Sequence, residues 1–221
     1  ITQVRKQAAE ILGYEASPGS PEAKLVDESV EAAVVRVTRV IIESSQTTHE
    51  VYVRLVDLLE RQPNLGVRSS TSILQQAYST PIPVAYLAST LAGIDAQTTV
   101  YEPTAGHGAL LIVANPVKAT VNEINPDRAA DLRAQGYTVT EYDAVDYCPK
   151  RKHDVVIANP PFGRVRDNQG QSRRFDIPGN RRGTSQIDQA ISLRALAAMK
   201  DNGRAVLILG GKLGDDEATR S

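Results

Sequence analysis

The run His153-Asp154-Val155-Val156-Ile157-Ala158, closed by Asn159-Pro160-Pro161-Phe162, constrains this chain more than any other part of it. An apolar run of this length reads as a buried strand. Two prolines end it abruptly, because proline lacks the amide donor that a ladder needs and fixes φ. The chain must therefore stop at the carboxyl end of a strand, and in open α/β sheets that edge is where ligands sit. Asn159 offers a side-chain carbonyl acceptor there. Its place before a proline favours an extended backbone whose own carbonyl is free. Phe162 adds a flat apolar face. The four residues form a polar clamp beside a stacking platform, suited to the exocyclic amino group of a planar base.

With 221 residues and 41% hydrophobic content, the chain can bury a full core as one large domain or as a domain with a smaller companion. A formal net charge of −1 gives no sign of a polyanion partner, so any nucleic-acid surface must be local. Cys148 is the single cysteine, which excludes an internal disulfide and a cysteine-built metal site and fits a reducing, cytoplasmic setting. No run approaches the ~20 apolar residues of a membrane span, so no membrane partner is expected. The sequence opens on Ile1 and stops at Ser221 just after a strand-like segment, as a piece of a longer protein would.

Two regions differ in pattern. Residues 1–67 read as a helical N-terminal subdomain. Ser20-Pro21-Glu22 supplies a cap, a first-turn proline and an early acid, and Glu15 to Gly19 reads as a loop. Val26, Val30, Ala33, Val37 and Ile41 then recur at helical spacing. Thr48 is a candidate cap for a further helix, with Val51, Leu55, Leu58 and Leu59 on one face, ended by Pro63 and Gly66. Residues 68–221 read as a second domain cut short at its C-terminus, in which strands and helices alternate. Strands are expected at Thr99–Glu102, Lys118–Ile124, Tyr137–Tyr142, Asp154–Ala158 and Arg204–Leu209, with helices from Ala109, from Pro126 to Gln135 and from Ile187 to Lys200. That alternation implies an α/β fold with a doubly wound, mainly parallel sheet.

Glu102, Glu123, Asp143 and Asn159 all fall at strand ends, which a parallel sheet gathers on one edge. Pro103-Thr104-Ala105-Gly106-His107-Gly108 forms a tight loop whose glycines let backbone approach a ligand. No lysine follows to serve phosphates, so a cationic or zwitterionic nucleoside suits the site better than a nucleotide. Glu123 is placed to accept from a ribose diol, and Asp143 from an adenine amine. S-adenosylmethionine fits the whole set.

These stretches resemble the amino-group DNA methyltransferases that modify adenine N6, in the arrangement where the methionine-binding segment precedes the glycine loop. The matching segments are Gln76-Ala77-Tyr78-Ser79-Thr80-Pro81 with Pro83, Tyr101 to Gly108, Asn122 to Pro126, Tyr142-Asp143-Ala144 and Asn159 to Gly163, all in the family's order. The resemblance implies a Rossmann-like class I methyltransferase fold with S-adenosylmethionine as cofactor. It implies that Thr80 and the loop of Thr104, Ala105, Gly106 and Gly108 hold the methionine end, Glu123 the ribose and Asp143 the adenine. Glu102, at the root of the same loop, and Asn159 are further cofactor-binding candidates. It further implies that Asn159 and the Pro160 carbonyl grip the target amine, with Pro161 shaping the turn and Phe162 stacked on a flipped base. Such enzymes occur alone, in restriction–modification systems and joined to helicases on phages and plasmids, so DNA and a recognition or helicase domain are the expected partners. The chain departs from the family at Leu110 and Leu111, where a phenylalanine is usual, and no recognition domain is recognisable.

No metal or covalent nucleophile is needed, and Cys148 lies outside any Pro-Cys motif, against cytosine C5 chemistry. Arg164, Arg166, Arg173, Arg174, Arg181 and Arg182 follow the turn against only Asp167 and Asp176. They predict a mobile loop with phosphate contacts, weighed against an ordinary solvated loop. His107 reads as a loop filler, His49 and His153 as surface residues, Cys148 as structural, and Tyr78 as packing on cofactor or on core. Two rival functions share these motifs: an amino methyltransferase acting on RNA or protein glutamine, and a catalytically silent DNA-docking module of a larger helicase-type protein.

Overall fold

Three helices open the described part of the computed structural model, which describes residues 2–13, 17, 20–62, 79–166, 170–177 and 180–210. They are α1 (Thr2–Leu12), α2 (Pro21–Ser44) and α3 (Thr48–Arg61). Ser20 starts α2 by accepting from the Ala23 amide at 3.1 Å. At α3 the cap is Thr47 rather than Thr48. Its hydroxyl accepts from the Glu50 amide, and the Glu50 carboxylate reaches back to the Gln46 amide at 2.9 Å. Each arrangement satisfies donors that the first helical turn leaves open. The buried face of α2 is Ala23, Val26, Ala32, Val35 and Thr38. The expected stripe is rotated: Val37 is 44% exposed. The Ala32-Ala33-Val34-Val35 run carries apolar atoms on more than one face, and packing against α3 and the sheet selects Val35.

Next come α4 (Ile82–Leu91), β1 (Val100–Glu102), β2 (Ala119–Asn122), α5 (Pro126–Ala134), β3 (Thr138–Thr140), β4 (His153–Ala158), β5 (Phe175–Ile177), β6 (Asn180–Thr184), α6 (Ile187–Leu196) and β7 (Met199–Leu207). Five strands form one sheet in the order β3-β2-β1-β4-β7, and every neighbouring pair is parallel. From β1 the chain winds outward through β2 and β3, then returns to lay β4 on the other side of β1. That reversal opens a crevice at the carboxyl ends of β1 and β4. The fold is the expected doubly wound, Rossmann-like sheet behind N-terminal helices.

Alternation along β4 divides the core. Val155 and Ile157 join a cluster with Val100, Leu110, Leu111, Val121 and Leu132 that also takes in Leu55 of α3 and Ala85 of α4. Val156 faces the other way, with Tyr101, Ala195 and Ala198. Helices α2 and α3 thus share a continuous apolar cluster with the sheet. Each such fully buried leucine is worth roughly 1.5–3 kcal/mol relative to exposure.

Further expectations need refining. The short apolar helix expected from Ala109 is a three-residue 3-10 helix, Ala109–Leu111. Helix α6 stops at Leu196, because Met199 pairs with His153 and the His153 amide donates to the Ala198 carbonyl at 2.8 Å, drawing these residues into the sheet. His153 is wholly buried rather than on the surface, with its ring stacked on Tyr101 and Nε2 3.1 Å from the Thr120 hydroxyl. The arginine-bearing stretch is not a featureless loop, since β5 and β6 form an antiparallel ribbon within it. The expectations for Gln76, Ala77, Tyr78, Asp167 and the Pro63–Gly66 helix stop lie outside the described residues, as does most of the Glu15–Gly19 loop. No helix among the described residues is long and apolar enough to cross a membrane.

Candidate active site at the carboxyl edge of the sheet

Asn159 leaves β4 at the crevice, and its amide is fixed from one side only. Nδ2 donates to the Thr80 hydroxyl at 2.8 Å. Oδ1 is buried and has no partner among the described residues. Thr80 sits just ahead of α4, so the bond ties the segment before the first strand to the Asn-Pro-Pro-Phe turn. Pro160 is buried and Phe162 half-buried. A Cβ on Gly210 would lie 3.1 Å from the Phe162 Cβ, Cγ and Cδ1 atoms, so the end of the β7 connection runs against that ring. The turn is anchored to α6, where the Ile187 amide donates to the Gly163 carbonyl at 2.9 Å.

The glycine loop follows β1. Gly106 and Gly108 have φ of 55° and 85°, a region that other residues rarely adopt, so the loop requires glycine at both. Glu123, at the end of β2, accepts from the Gly106 amide through Oε2 and from the Asn125 amide through Oε1, both at 2.8 Å. In this structure it shapes the loop, and further lone pairs on both oxygens are left for a diol. Glu102 is 2% exposed, its Oε2 has no partner, and burial followed by the nearby Glu123 charge drives its pKa well above the usual carboxylate range. The Thr104 hydroxyl is also buried and unpartnered. Ala105 is buried, its amide bonded to the Asn122 carbonyl at 3.0 Å.

Asp143 lies beyond β3 and is exposed, where its Oδ1 accepts from the Val145 amide at 3.0 Å. Asn122 joins this turn to the glycine loop. Its Nδ2 donates to the Pro103 and Tyr142 carbonyls at 3.1 and 2.8 Å, and its Oδ1 accepts from the Thr140 hydroxyl and the Tyr142 amide. The sheet therefore gathers Glu102, Glu123, Asn159 and the Thr104–Gly108 loop at one edge, with Thr80 reaching them from α4.

The arginines divide. Arg164 bridges to Gln186, and Arg166 to Ser172. The Arg173 guanidinium lies 4.9 Å over the Phe175 ring and 3.9 Å from the Asp146 carboxylate. Arg173 and Arg174 line a pocket with Val145, Asp146, Phe175, Asp176 and Arg194. These two therefore flank the turn that begins at Asp143.

Sequence reasoning missed the support behind the glycine loop. His107 is no filler: its Nδ1 meets Asp131 of α5 and its Nε2 meets Glu28 of α2, each at 2.9 Å. Burial opposes the charged ring, but the two carboxylate hydrogen bonds prevail and raise its pKa. Glu28 also takes Nε and Nη2 of Arg128 at 2.7 and 2.8 Å. Burial would raise the Glu28 carboxyl, yet His107 and Arg128 together lower it to about 2. These partners are up to 100 residues apart, and no local pattern announces them.

No family model matches the chain, and no curated protein matches it. Among solved structures it is similar to a candidate RNA methyltransferase from Pyrococcus horikoshii, 23% identical over 51% of this chain and 60% of that one, with a TM-score of 0.39. It is also similar to a protein-L-isoaspartate O-methyltransferase, 13% identical over 60% of this chain and 38% of that one, TM-score 0.38. A dimethyladenosine transferase from Plasmodium falciparum is 26% identical over 36% of this chain and 32% of that one, TM-score 0.30. The chain thus covers less than two thirds of each. With TM-scores no higher than 0.39 the likeness is partial, and the fold rests on the strand order itself.

Proposed function

We propose that the chain transfers a methyl group from S-adenosylmethionine to the exocyclic N6 amine of adenine in DNA, with the base flipped into the Asn159–Phe162 turn. One observation carries the reading: Asn159 Oδ1 is buried, without a partner among the described residues, and held in place through the Thr80 bond. A buried acceptor without a partner costs about 1–3 kcal/mol, so a protein retains one where a ligand will satisfy it. The donor fits the residues beside it, because Glu102 Oε2 and the Thr104 hydroxyl are likewise buried and unpartnered at the glycine loop. Thr80, Glu102, Thr104, Ala105, Gly106 and Gly108 would hold the methionine end, Glu123 the ribose and Asp143 the adenine.

The donor would supply an electrophilic methyl on a sulfonium: as the N–C bond forms the S–C bond breaks, the neutral thioether leaves, and the methylated amine gives up one proton to solvent. The chain supplies position. A ring-conjugated amine is a poor nucleophile because its lone pair is delocalised into the ring. Asn159 Oδ1 accepts one amine hydrogen and the Pro160 carbonyl accepts the other, which favours a tetrahedral nitrogen with its lone pair turned toward the methyl. Phe162 stacks on the extruded base, which would be read on its Watson–Crick edge. Orientation of this kind supplies up to roughly 7–11 kcal/mol in ideal cases. Arg164, Arg166, Arg173 and Arg174 would take backbone phosphates, and a recognition or helicase domain would present the DNA. The test is transfer of labelled methyl to adenine-bearing DNA, to structured RNA and to a glutamine-bearing protein. Label at adenine N6 of DNA is expected. Label confined to RNA or protein would move the activity to a rival amine, and donor binding without transfer to any of them would favour a docking module.

A further inference from the structure

Asp188 is a buried acid to which the methyl-transfer reading gives no task. It stands in the first turn of α6 and is 2% exposed. Its Oδ2 accepts from the Gly210 amide at 3.0 Å, and its Oδ1 is buried with no partner among the described residues. The amino end of α6 offsets part of the charge. A half-satisfied carboxyl in such a place is still costly, and an apolar side chain would pack the same face of the helix without that cost. What Asp188 holds is the chain beside the Asn-Pro-Pro-Phe turn.

Two adjacent residues of α6 fasten the two segments that flank Phe162. The Ile187 amide donates to the Gly163 carbonyl at 2.9 Å, on the turn itself. Asp188 takes Gly210, on the segment leaving β7, whose path is already set by the Ile208 amide on the Ala158 carbonyl at 2.9 Å. A Cβ on Gly210 would lie 3.1 Å from each of the Phe162 Cβ, Cγ and Cδ1 atoms. These three are bonded in sequence, and no point in the plane of the ring is that far from all of them. Gly210 therefore covers a face of the ring rather than its edge. Its φ lies outside the left-handed region, so the close approach calls for glycine here and the backbone shape does not. We propose that Asp188 is a positioning residue for the target base. By holding the Gly210 amide it seats the main chain on one face of Phe162, fixes the ring, and directs a flipped base to the opposite face. Small errors in the placement of a reacting group are costly in rate, which gives a buried acid behind the platform its use.

The inference rests on the base-flipping reading above, and the test keeps the two apart. The chain has two phenylalanines, Phe162 and Phe175, so fluorophenylalanine labelling gives two fluorine signals, which Phe175→Leu assigns. Asp188→Ala and Gly210→Ala should each shift or broaden the Phe162 signal and leave that of Phe175 in place. Asp188→Asn keeps an acceptor for the Gly210 amide and should stay close to the parent. On adenine-bearing duplex DNA the two alanine variants should lose about tenfold in kcat, while KM for DNA and affinity for S-adenosylmethionine stay within about threefold of the parent. An unmoved Phe162 signal in Asp188→Ala, an asparagine variant as impaired as the alanine one, or rate losses that follow a fall in melting temperature would overturn the proposal. A fluorine response in the variants of a parent that methylates no DNA would instead remove the base reading and leave Asp188 as the residue that sets the ring.

Discussion

The two ends of β4 carry similar residues in opposite states. At the amino end Asp154 Oδ2 accepts from the Thr99 amide and hydroxyl, and Oδ1 accepts from Lys200 Nζ at 2.6 Å. His153 beside it is buried with a neighbour at each ring nitrogen. At the carboxyl end Asn159 has one partner for Nδ2 and none for Oδ1, and Glu102 and Thr104 nearby also keep unpartnered oxygens. Unmade hydrogen bonds in a buried place weaken a fold. The amino end is therefore built for cohesion, and the carboxyl end keeps its acceptors for a ligand.

Exchanging the two ends by mutation gives the largest expected effects. Asn159→Ala should lower the methyl-transfer rate by about 100-fold or more, the scale seen when one preorganised polar contact to a reacting centre is removed. Its thermal midpoint should stay close to that of the parent, since only the Thr80 bond is lost. Asp154→Ala should do the reverse, costing about 1 kcal/mol of stability through three lost acceptor contacts while turnover of the folded protein is unchanged. Thermal melts beside initial rates read both, and a parallel loss in the two variants would erase the distinction between the ends.

The next effect concerns the network behind the loop. The raised His107 pKa means that its bonds to Glu28 and Asp131 contribute fully below the unfolded histidine value, near 6.5, and fade as pH rises through the folded value. His107→Gln should therefore lower the melting temperature most at mildly acid pH, with the gap narrowing in alkaline buffer. A gap independent of pH would remove charge from the account of this contact. The smallest effect belongs to the ribbon. Replacing Arg173 and Arg174 together with glutamine should flatten the plot of log affinity for duplex DNA against log salt by about one to two units. An unchanged slope would leave these side chains outside the DNA path.

Much of the carboxyl edge is legible in the sequence because local chemistry writes it. An apolar run ended by two prolines stops at the edge, Asn125-Pro126 caps α5 as a cap should, and acids at strand ends converge by topology. What was hidden depends on distance. His153 reads as a surface residue, and only the parallel pairing with Met199 and the Thr120 contact show why it is buried. The β5–β6 ribbon is short, glycine-bearing and arginine-rich, and antiparallel pairing overrides its weak local pattern. Glu28 and Asp131 look like ordinary solvated helix acids until α2 and α5 are laid beside the loop.

Calorimetric titration of S-adenosylmethionine into the parent chain and Thr104→Val tests the central claim most directly. The substitution keeps the side chain's shape and removes a buried hydroxyl that has no partner among the described residues. The account predicts one-to-one binding to the parent, several-fold weaker binding to the variant, and a variant melting temperature equal to or above the parent's. A variant that melts lower yet binds the donor as tightly would show that the hydroxyl serves the fold, contradicting the claim that this edge keeps its polar groups for a ligand.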